Sequence, residues 1–341
     1  MKALVTGGGG FLGGAVVDAL LARGDDVTSL ARGDYPALRE RGVTTMRGDL
    51  ADPASAQAAV EGVDVVFHVA AKAGIWGADA DFRRSNVDGT RVLLDACRAA
   101  RVRRFVLTST PSVVHTGGDI VGGDESLPYA TQFDSAYPET KAEAERMVLA
   151  ANGPDLATVA LRPHLVWGPG DTQLVPRILD RARAGRLRFV GDGSAVIDTT
   201  YVDDAAQAHL DAADRLHPHA ACAGRPYFIT SGDPRPVQDL VNGIVVAGGL
   251  EPVHGTVPLG VAVAAGAVVE TVWRVLERVV DVGDPPMTRF LARQLATAHW
   301  FDISAARRDL GYSPQVPLDE GFVRLGRWLR PVSTSPSLGT D

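Results

Sequence analysis

The chain has 341 residues, 45% hydrophobic and 22% charged, with a net charge of −7. That is ordinary usage for a folded globular protein with room for one or two cores, and the negative balance offers no general attraction to nucleic acid or anionic membrane. Cys97 and Cys222 make neither a metal spacing nor a disulfide framework, and the first strand begins at Lys2, so no metal, no signal peptide and a cytoplasmic setting are expected.

Residues 2–5 read as a buried strand and Leu12–Arg23 as a helix, with Leu12, Val16, Ala19 and Leu20 at helical spacing and Gly24 as its stop. Between them stands Gly7-x-x-Gly10-x-x-Gly13. Glycine there permits a tight turn, close approach of backbone to a pyrophosphate, and packing of helix on strand. The helix N-terminus adds free N–H groups and a positive dipole end. Gly7, Gly10, Phe11 and Leu12 are therefore candidate dinucleotide contacts, although a glycine triplet alone also suits a flexible loop.

The second strand, 26–30, runs into Ala31-Arg32-Gly33, where an NAD site would place a carboxylate on the ribose 2′-hydroxyl. A guanidinium instead suits a 2′-phosphate by fork geometry and charge, so Arg32 favours NADP(H) over NAD, with Asp34 left as a residue able to reach the ribose. A strand at 43–50 ends in Asp49-Leu50, and a helix at 53–61 leads to the apolar strand 63–71, ending in Ala70-Ala71. A helix at 86–100, with Arg101–Arg104 as its solvated end, precedes the strand 105–110. The next helix opens at 134–141, capped by Asp134 or Ser135, and stops at Asn152-Gly153-Pro154 before the strand 159–163 and Trp167-Gly168-Pro169-Gly170. This alternation predicts an α/β Rossmann-type doubly wound parallel sheet with its ligand at the carboxyl ends of the strands.

Beyond 170 the alternation weakens. Helices are expected at 171–190, 203–216 and 237–250, with a short strand at 198–204. Residues 260–281 form an amphipathic pattern, with Val261, Ala265, Val268, Val272, Val275 and Val279 on one face and Glu270, Arg274, Glu277, Arg278 and Asp281 opposite. We expect that helix to pack and line a pocket, with membrane-surface contact as the lesser reading, its apolar run at 258–269 being too short to span a bilayer. The division expected is 1–170 for the dinucleotide domain with returning segments near 195–235, then 171–194 and 236–330 for a smaller, mostly helical substrate region. Residues 331–341 form a flexible tail.

Tyr137 and Lys141, four apart at a helix start, share one face. The ammonium and the positive helix end are expected to favour phenolate, equipping Tyr137 to exchange a proton with a carbonyl or hydroxyl oxygen. Lys141 is placed to hold the nicotinamide ribose. Thr110, at a strand end, is the candidate to hydrogen-bond the substrate oxygen, with Ser109 and Ser112 as alternatives.

These motifs, with Asn86-Val87-Asp88-Gly89-Thr90, Tyr137-Pro138-Glu139-Thr140-Lys141, Arg162-Pro163, Tyr201-Val202-Asp203-Asp204 and Leu310-Gly311-Tyr312-Ser313-Pro314, resemble the extended short-chain dehydrogenase/reductases over nearly all of 1–325. Ala70–Gly77 and Leu161–Asp171 resemble the 3β-hydroxysteroid dehydrogenase branch most. The resemblance implies cofactor contacts at Asp49, Leu50, Ala70, Ala71 and Pro163. It also implies NADPH-dependent reduction of a 2-alkyl-3-oxoalkanoate to the 3-hydroxy acid in long-chain olefin biosynthesis. A homodimer, and assembly with the β-lactone synthetase and hydrolase of that route, are implied as well. Residues 257–280 would then supply an apolar wall for a hydrophobic substrate, and Arg177, His164 or Lys72 would meet its carboxylate. A sterol 3β-hydroxy dehydrogenase and a non-catalytic NADP-binding regulator are the competing readings; intact Tyr137, Lys141 and Thr110 argue against the second. The valine-rich helix argues against a sugar-nucleotide epimerase.

Overall fold

The computed structural model describes residues 1–74, 76–276, 283, 285 and 288–330. Its frame is a parallel sheet of β1 (Lys2–Thr6), β2 (Asp26–Ala31), β3 (Thr44–Arg47), β4 (Val65–His68), β5 (Arg104–Thr108), β6 (Ala157–Pro163) and β7 (Pro226–Ile229), in the spatial order β7-β6-β5-β4-β1-β2-β3. All residues of β4 and β6 are buried, which is why they are mostly apolar, with His68 and Arg162 as buried polar exceptions. The order reverses between β1 and β4, the switch point at which open α/β sheets bind ligands.

Alternate side chains of β1 feed two cores. Ala3 and Val5 join α1 (Phe11–Ala22) on one face of the sheet, together with a helix at Val202–Arg215 and the buried Cys222. Leu4 points the other way, into a core with α2 (Gly89–Ala99), which contributes Leu93, Leu94 and the buried Cys97, and α3 (Ala136–Ala150), which contributes Val148. A third core, around Trp167, gathers α4 (Leu174–Arg183), α5 (Val202–Arg215), α6 (Val237–Ala247) and a helix at Leu318–Leu329.

Several elements differ from the sequence expectation. The helix expected at 171–190 is only α4, because the Asp171 carboxylate takes the N–H groups of Gln173, Leu174 and Val175 at 2.7, 3.2 and 2.9 Å and starts it late. Residues 189–190 instead pair as strand with 256–257. The strand expected at 198–204 shrinks to 200–201, since α5 already begins at Val202. Residues 83–88 form a wider π-helical turn ahead of α2. A small sheet of 120–123, 299–301, 196–197 and 235–236 joins segments far apart in the chain, beyond the reach of local pattern.

The largest reversal concerns α7 (Leu259–Leu276). Its buried residues are Ala262, Gly266 and Glu270, whereas Val261, Val268, Val272 and Val275 are 56, 64, 45 and 58% exposed. The valine face expected to pack is the outer one. The contact is decided by Gly266 and Glu270. A Cβ at Gly266 would stand 2.7 Å from the Thr288 carbonyl carbon, and Glu270 accepts the Arg289 N–H at 2.7 Å and its guanidinium at 2.9 Å. These eighteen residues have a mean hydropathy of 1.6, long and apolar enough by composition to cross a membrane, contrary to the twelve-residue run read from the sequence. Glu277, Arg278, Val279, Asp281 and the tail lie outside the described residues.

The glycine turn positions everything that follows. Gly7 adopts a left-handed φ of +72° and its carbonyl accepts the Gly10 N–H at 2.9 Å. Gly13 lies directly on that carbonyl, where a Cβ would stand 2.1 Å from the oxygen. Backbone cannot yield there as a flexible side chain can. Gly13→Ala is expected to cost roughly 1–3 kcal/mol in urea unfolding and to abolish dinucleotide binding. Gly14→Ala, whose Cβ meets nothing closer than 3.6 Å, should be silent in both measurements.

Candidate active site

The sequence-nominated cofactor residues converge on the carboxyl edge of the sheet. A Cβ on Gly7 would lie 3.0 Å from Ala70 Cα, and the Ala70 N–H donates to Thr6 Oγ1 at 3.1 Å, so the β1 and β4 ends touch. Ala71 follows. Phe11 and Leu12 open α1, and Gly170 packs against Phe11, closing the 167–170 loop on the same turn. Pro163 ends β6. The glycine cradle thus has the open backbone a dinucleotide pyrophosphate requires. Arg32 leaves β2 exposed, its carbonyl accepting Arg47 Nε at 3.1 Å. Asp34 is ion-paired with Arg39. Asp49 accepts the Ala51 N–H at 3.0 Å and pairs with Arg84 at 2.8 Å; the Ala51 hydrogen bond, Arg84 and Arg32 hold its carboxyl below the usual range. Leu50 packs beside Gly89.

Helix α3 brings Tyr137 and Lys141 to the end of β5. Its N-cap is Ser135, but no side chain caps it, and Ser135 Oγ is buried without a partner. The expected Asp134 or Ser135 side-chain cap is therefore absent. The Thr110 side chain lies close enough to the Tyr137 phenol to favour its ionised form. Thr110 Oγ1 also accepts the Ser112 N–H and donates to Ser112 Oγ, both at 3.2 Å. Ser109 Oγ is buried without a partner, so of the three hydroxyls considered, Thr110 is the one that acts on the Tyr137 phenol.

The phenol does not move as the sequence suggests. Burial pushes its pKa up, and the nearby Thr110 hydroxyl opposes that shift without cancelling it. Lys141 is turned away, its ammonium donating to the Thr108 carbonyl at 2.6 Å. Burial lowers Lys141 to about 8, against an upward pull from Glu145.

Three groups escaped the sequence reading. His68 bridges Thr6 and Thr90 at 2.9 Å each; because Thr90 donates its own hydrogen to the Asn86 carbonyl at 2.6 Å, the imidazole hydrogen sits on Nε2. Burial, then Lys141, pushes this ring down to about 3, so it stays neutral. Asn86, in the π turn, accepts the Lys72 N–H at 2.8 Å and donates to the Lys72 carbonyl at 3.1 Å and Thr140 at 3.0 Å, tying the segment after β4 to α3. The motif 86–90 held its signal. Glu145, one turn beyond Lys141, pairs with Arg162 of β6 at 2.6 Å and accepts the Tyr129 hydroxyl at 2.7 Å, and neither charge meets solvent.

Two of the carboxylate candidates are committed elsewhere. His164 Nδ1 is 2.7 Å from Asp198, and Lys72 pairs with Asp81 at 3.1 Å. Arg177 lies on α4 near Arg181. Pro138 and Ser112, chain neighbours of Tyr137 and Thr110, help line a cavity of about 300 Å³ together with His115, Gln132, Arg293 and others. A larger cleft, about 470 Å³, lies at the opposite, amino edge of the sheet among Arg98, Arg101 and Asp155, and holds none of these groups.

Comparison with known proteins agrees with this arrangement. The chain matches the 3-beta hydroxysteroid dehydrogenase/isomerase family over residues 4–259, from β1 to the start of α7. It is 52% identical over 328 residues to the 2-alkyl-3-oxoalkanoate reductase of Stenotrophomonas maltophilia, covering 95% of this chain and 98% of that protein. A protein of the same name from Shewanella oneidensis is 46% identical over 331 residues, with 95% and 85% covered. The solved structure of MoeE5 in complex with UDP-glucose and NAD superposes with a TM-score of 0.72 at 25% identity, covering 96% and 98% of the two chains. With its glycine cradle, its Tyr137–Thr110 pair and these relatives, the chain belongs to the 3-beta hydroxysteroid dehydrogenase/isomerase family of extended short-chain dehydrogenases/reductases and is an NAD(P)-dependent oxidoreductase.

Proposed function

We propose that this protein reduces the 3-keto group of a 2-alkyl-3-oxoalkanoate to the 3-hydroxy acid, with NADPH as reductant. The observation that carries the chemistry is the gathering of Tyr137, Thr110 and Lys141 at the carboxyl end of β5: Thr110 acts on the phenol, and Lys141, one helical turn along α3, is held on the Thr108 carbonyl. The names of the two relatives support the substrate class.

A bound nicotinamide dinucleotide supplies hydride to the carbonyl carbon. Tyr137, kept protonated by burial, gives its proton to the carbonyl oxygen as charge develops there. Thr110 orients the phenol and offers a hydroxyl to the same oxygen, a donor placed where charge builds. Lys141, lowered by burial to about 8 and held on the Thr108 carbonyl one helical turn from Tyr137, would take the nicotinamide ribose rather than the phenol. Neutral His68 adds no charge to this region. Preference for NADPH is supported at the β2 end, where Arg32, Arg39, Arg47 and Arg84 stand around Asp34 and Asp49, both of which are influenced by these guanidinia. A 2′-phosphate suits that balance better than a bare ribose hydroxyl.

Purified protein should oxidise a 2-alkyl-3-hydroxy acid with NADP, a direction that avoids the unstable β-keto acid; oxidation of 3β-hydroxy sterols alone would overturn the substrate. Tyr137→Phe should lower kcat by roughly 10²–10⁴ while fluorescence titration still shows cofactor binding; unchanged turnover removes Tyr137 as the acid. Arg32→Ala should weaken NADPH about tenfold and leave NADH unchanged, and equal weakening of both cofactors refutes the 2′-phosphate role.

A further inference from the structure

We propose that Arg293 receives the carboxylate of the acid substrate, in the cavity bordered by Ser112 and Pro138. This rests on the function proposed above and names the group that distinguishes an acid from a neutral ketone. A β-keto acid carries its carboxylate two carbons from the reacting carbonyl, so its receptor must stand close to the proton donor. The cavity is walled by immediate neighbours of that donor: Pro138 follows Tyr137 on α3, and Ser112 is hydrogen-bonded to Thr110.

Among the groups lining that space, Arg293 is the cation. It lies on α8 (Arg289–Gln294), whose start is fixed twice: Thr288 Oγ1 accepts the Leu291 N–H at 3.0 Å, and Glu270 of α7 takes the Arg289 N–H and guanidinium. Arg289 is thereby neutralised, whereas Arg293, one turn on, forms no ion pair among the described residues. A planar guanidinium on an anchored helix suits a carboxylate fork to fork. Other walls are less suited to the role. His115 Nε2 faces His299 Nε2 at 2.7 Å and its ring also meets the Gly118 backbone, so the imidazole is occupied. Gln132 and Ser112 add neutral polar groups, and Asp134 on the same lining opposes an anion.

The arrangement explains why α7 is turned with Glu270 inward. Its buried carboxylate serves as the anchor of α8, a positioning role for Glu270 rather than a contact with substrate.

The test uses a ligand that needs no turnover. Calorimetry of the protein–NADP complex should show Arg293→Ala weakening 2-hexyldecanoate about tenfold or more, with its methyl ester bound as before. Asp134→Asn should tighten the acid alone. In turnover, Arg293→Ala should raise KM for the 3-hydroxy acid with kcat little changed, and Arg293→Lys should restore part of the loss. Equal weakening of acid and ester, or no change in either, overturns the assignment. Because binding is read without reaction, it fails independently of the substrate tested for turnover. Unfolding midpoints matching the parent separate lost recognition from lost structure; a lowered midpoint with acid and ester equally affected counts against the assignment.

Discussion

Glu145 is a carboxylate with no access to water, and the catalytic helix is registered on the sheet through it. Its oxygens take Arg162 from β6 and the Tyr129 hydroxyl, while Lys141 lies one turn away on the same helix. Removing one partner of such a buried pair leaves an uncompensated charge, at a cost of roughly 3–5 kcal/mol. The pair therefore holds α3 to β6 at one setting. That setting places Lys141 on the carbonyl of Thr108, the last residue of β5, and Tyr137 near Thr110, two residues further on. The low-dielectric surroundings that make the ion pair demanding are the same ones that raise the phenol and lower the ammonium.

The parts legible in the sequence were those written in local spacing. Apolar runs announced β1, β4 and β6; three glycines announced the turn; Tyr137 and Lys141, four apart, announced a shared face. What escaped were relations between distant segments. No local pattern connects 120–123 with 299–301, or Glu145 with Arg162 in its β6 strand. The direction of the Tyr137 shift was misread because proximity in sequence suggested an ammonium facing the phenol, whereas Lys141 reaches instead for a backbone carbonyl. Helix α7 was misread for a related reason: its valines satisfy the amphipathic pattern, but a bare Cα and a carboxylate determine which side finds a neighbour.

The two ends of the active site are therefore built on different principles. The cradle depends on missing side chains, since a methyl group at Gly13 would occupy the Gly7 carbonyl. The proton-transfer end depends on filled, hydrogen-bonded positions, with Thr6, His68, Thr90 and Asn86 forming a continuous polar line behind it. Such a line tolerates no unpaired member in a buried setting, which makes its geometry as exacting as that of the glycines.

The two cysteines sit in opposite layers of the sheet, Cys97 with α2 and α3, Cys222 with α1 and α5, and both are buried. Burial carries the Cys97 thiol up to about 12 and raises Cys222 as well, so neither offers thiolate at neutral pH while the layers stay closed. Each is a built-in clock. Under native conditions a thiol-labelling reagent can react only through opening of the layer that holds its target. Labelling rates at the two sites therefore measure how far each half of the dinucleotide fold opens alone, and how much a bound cofactor closes both.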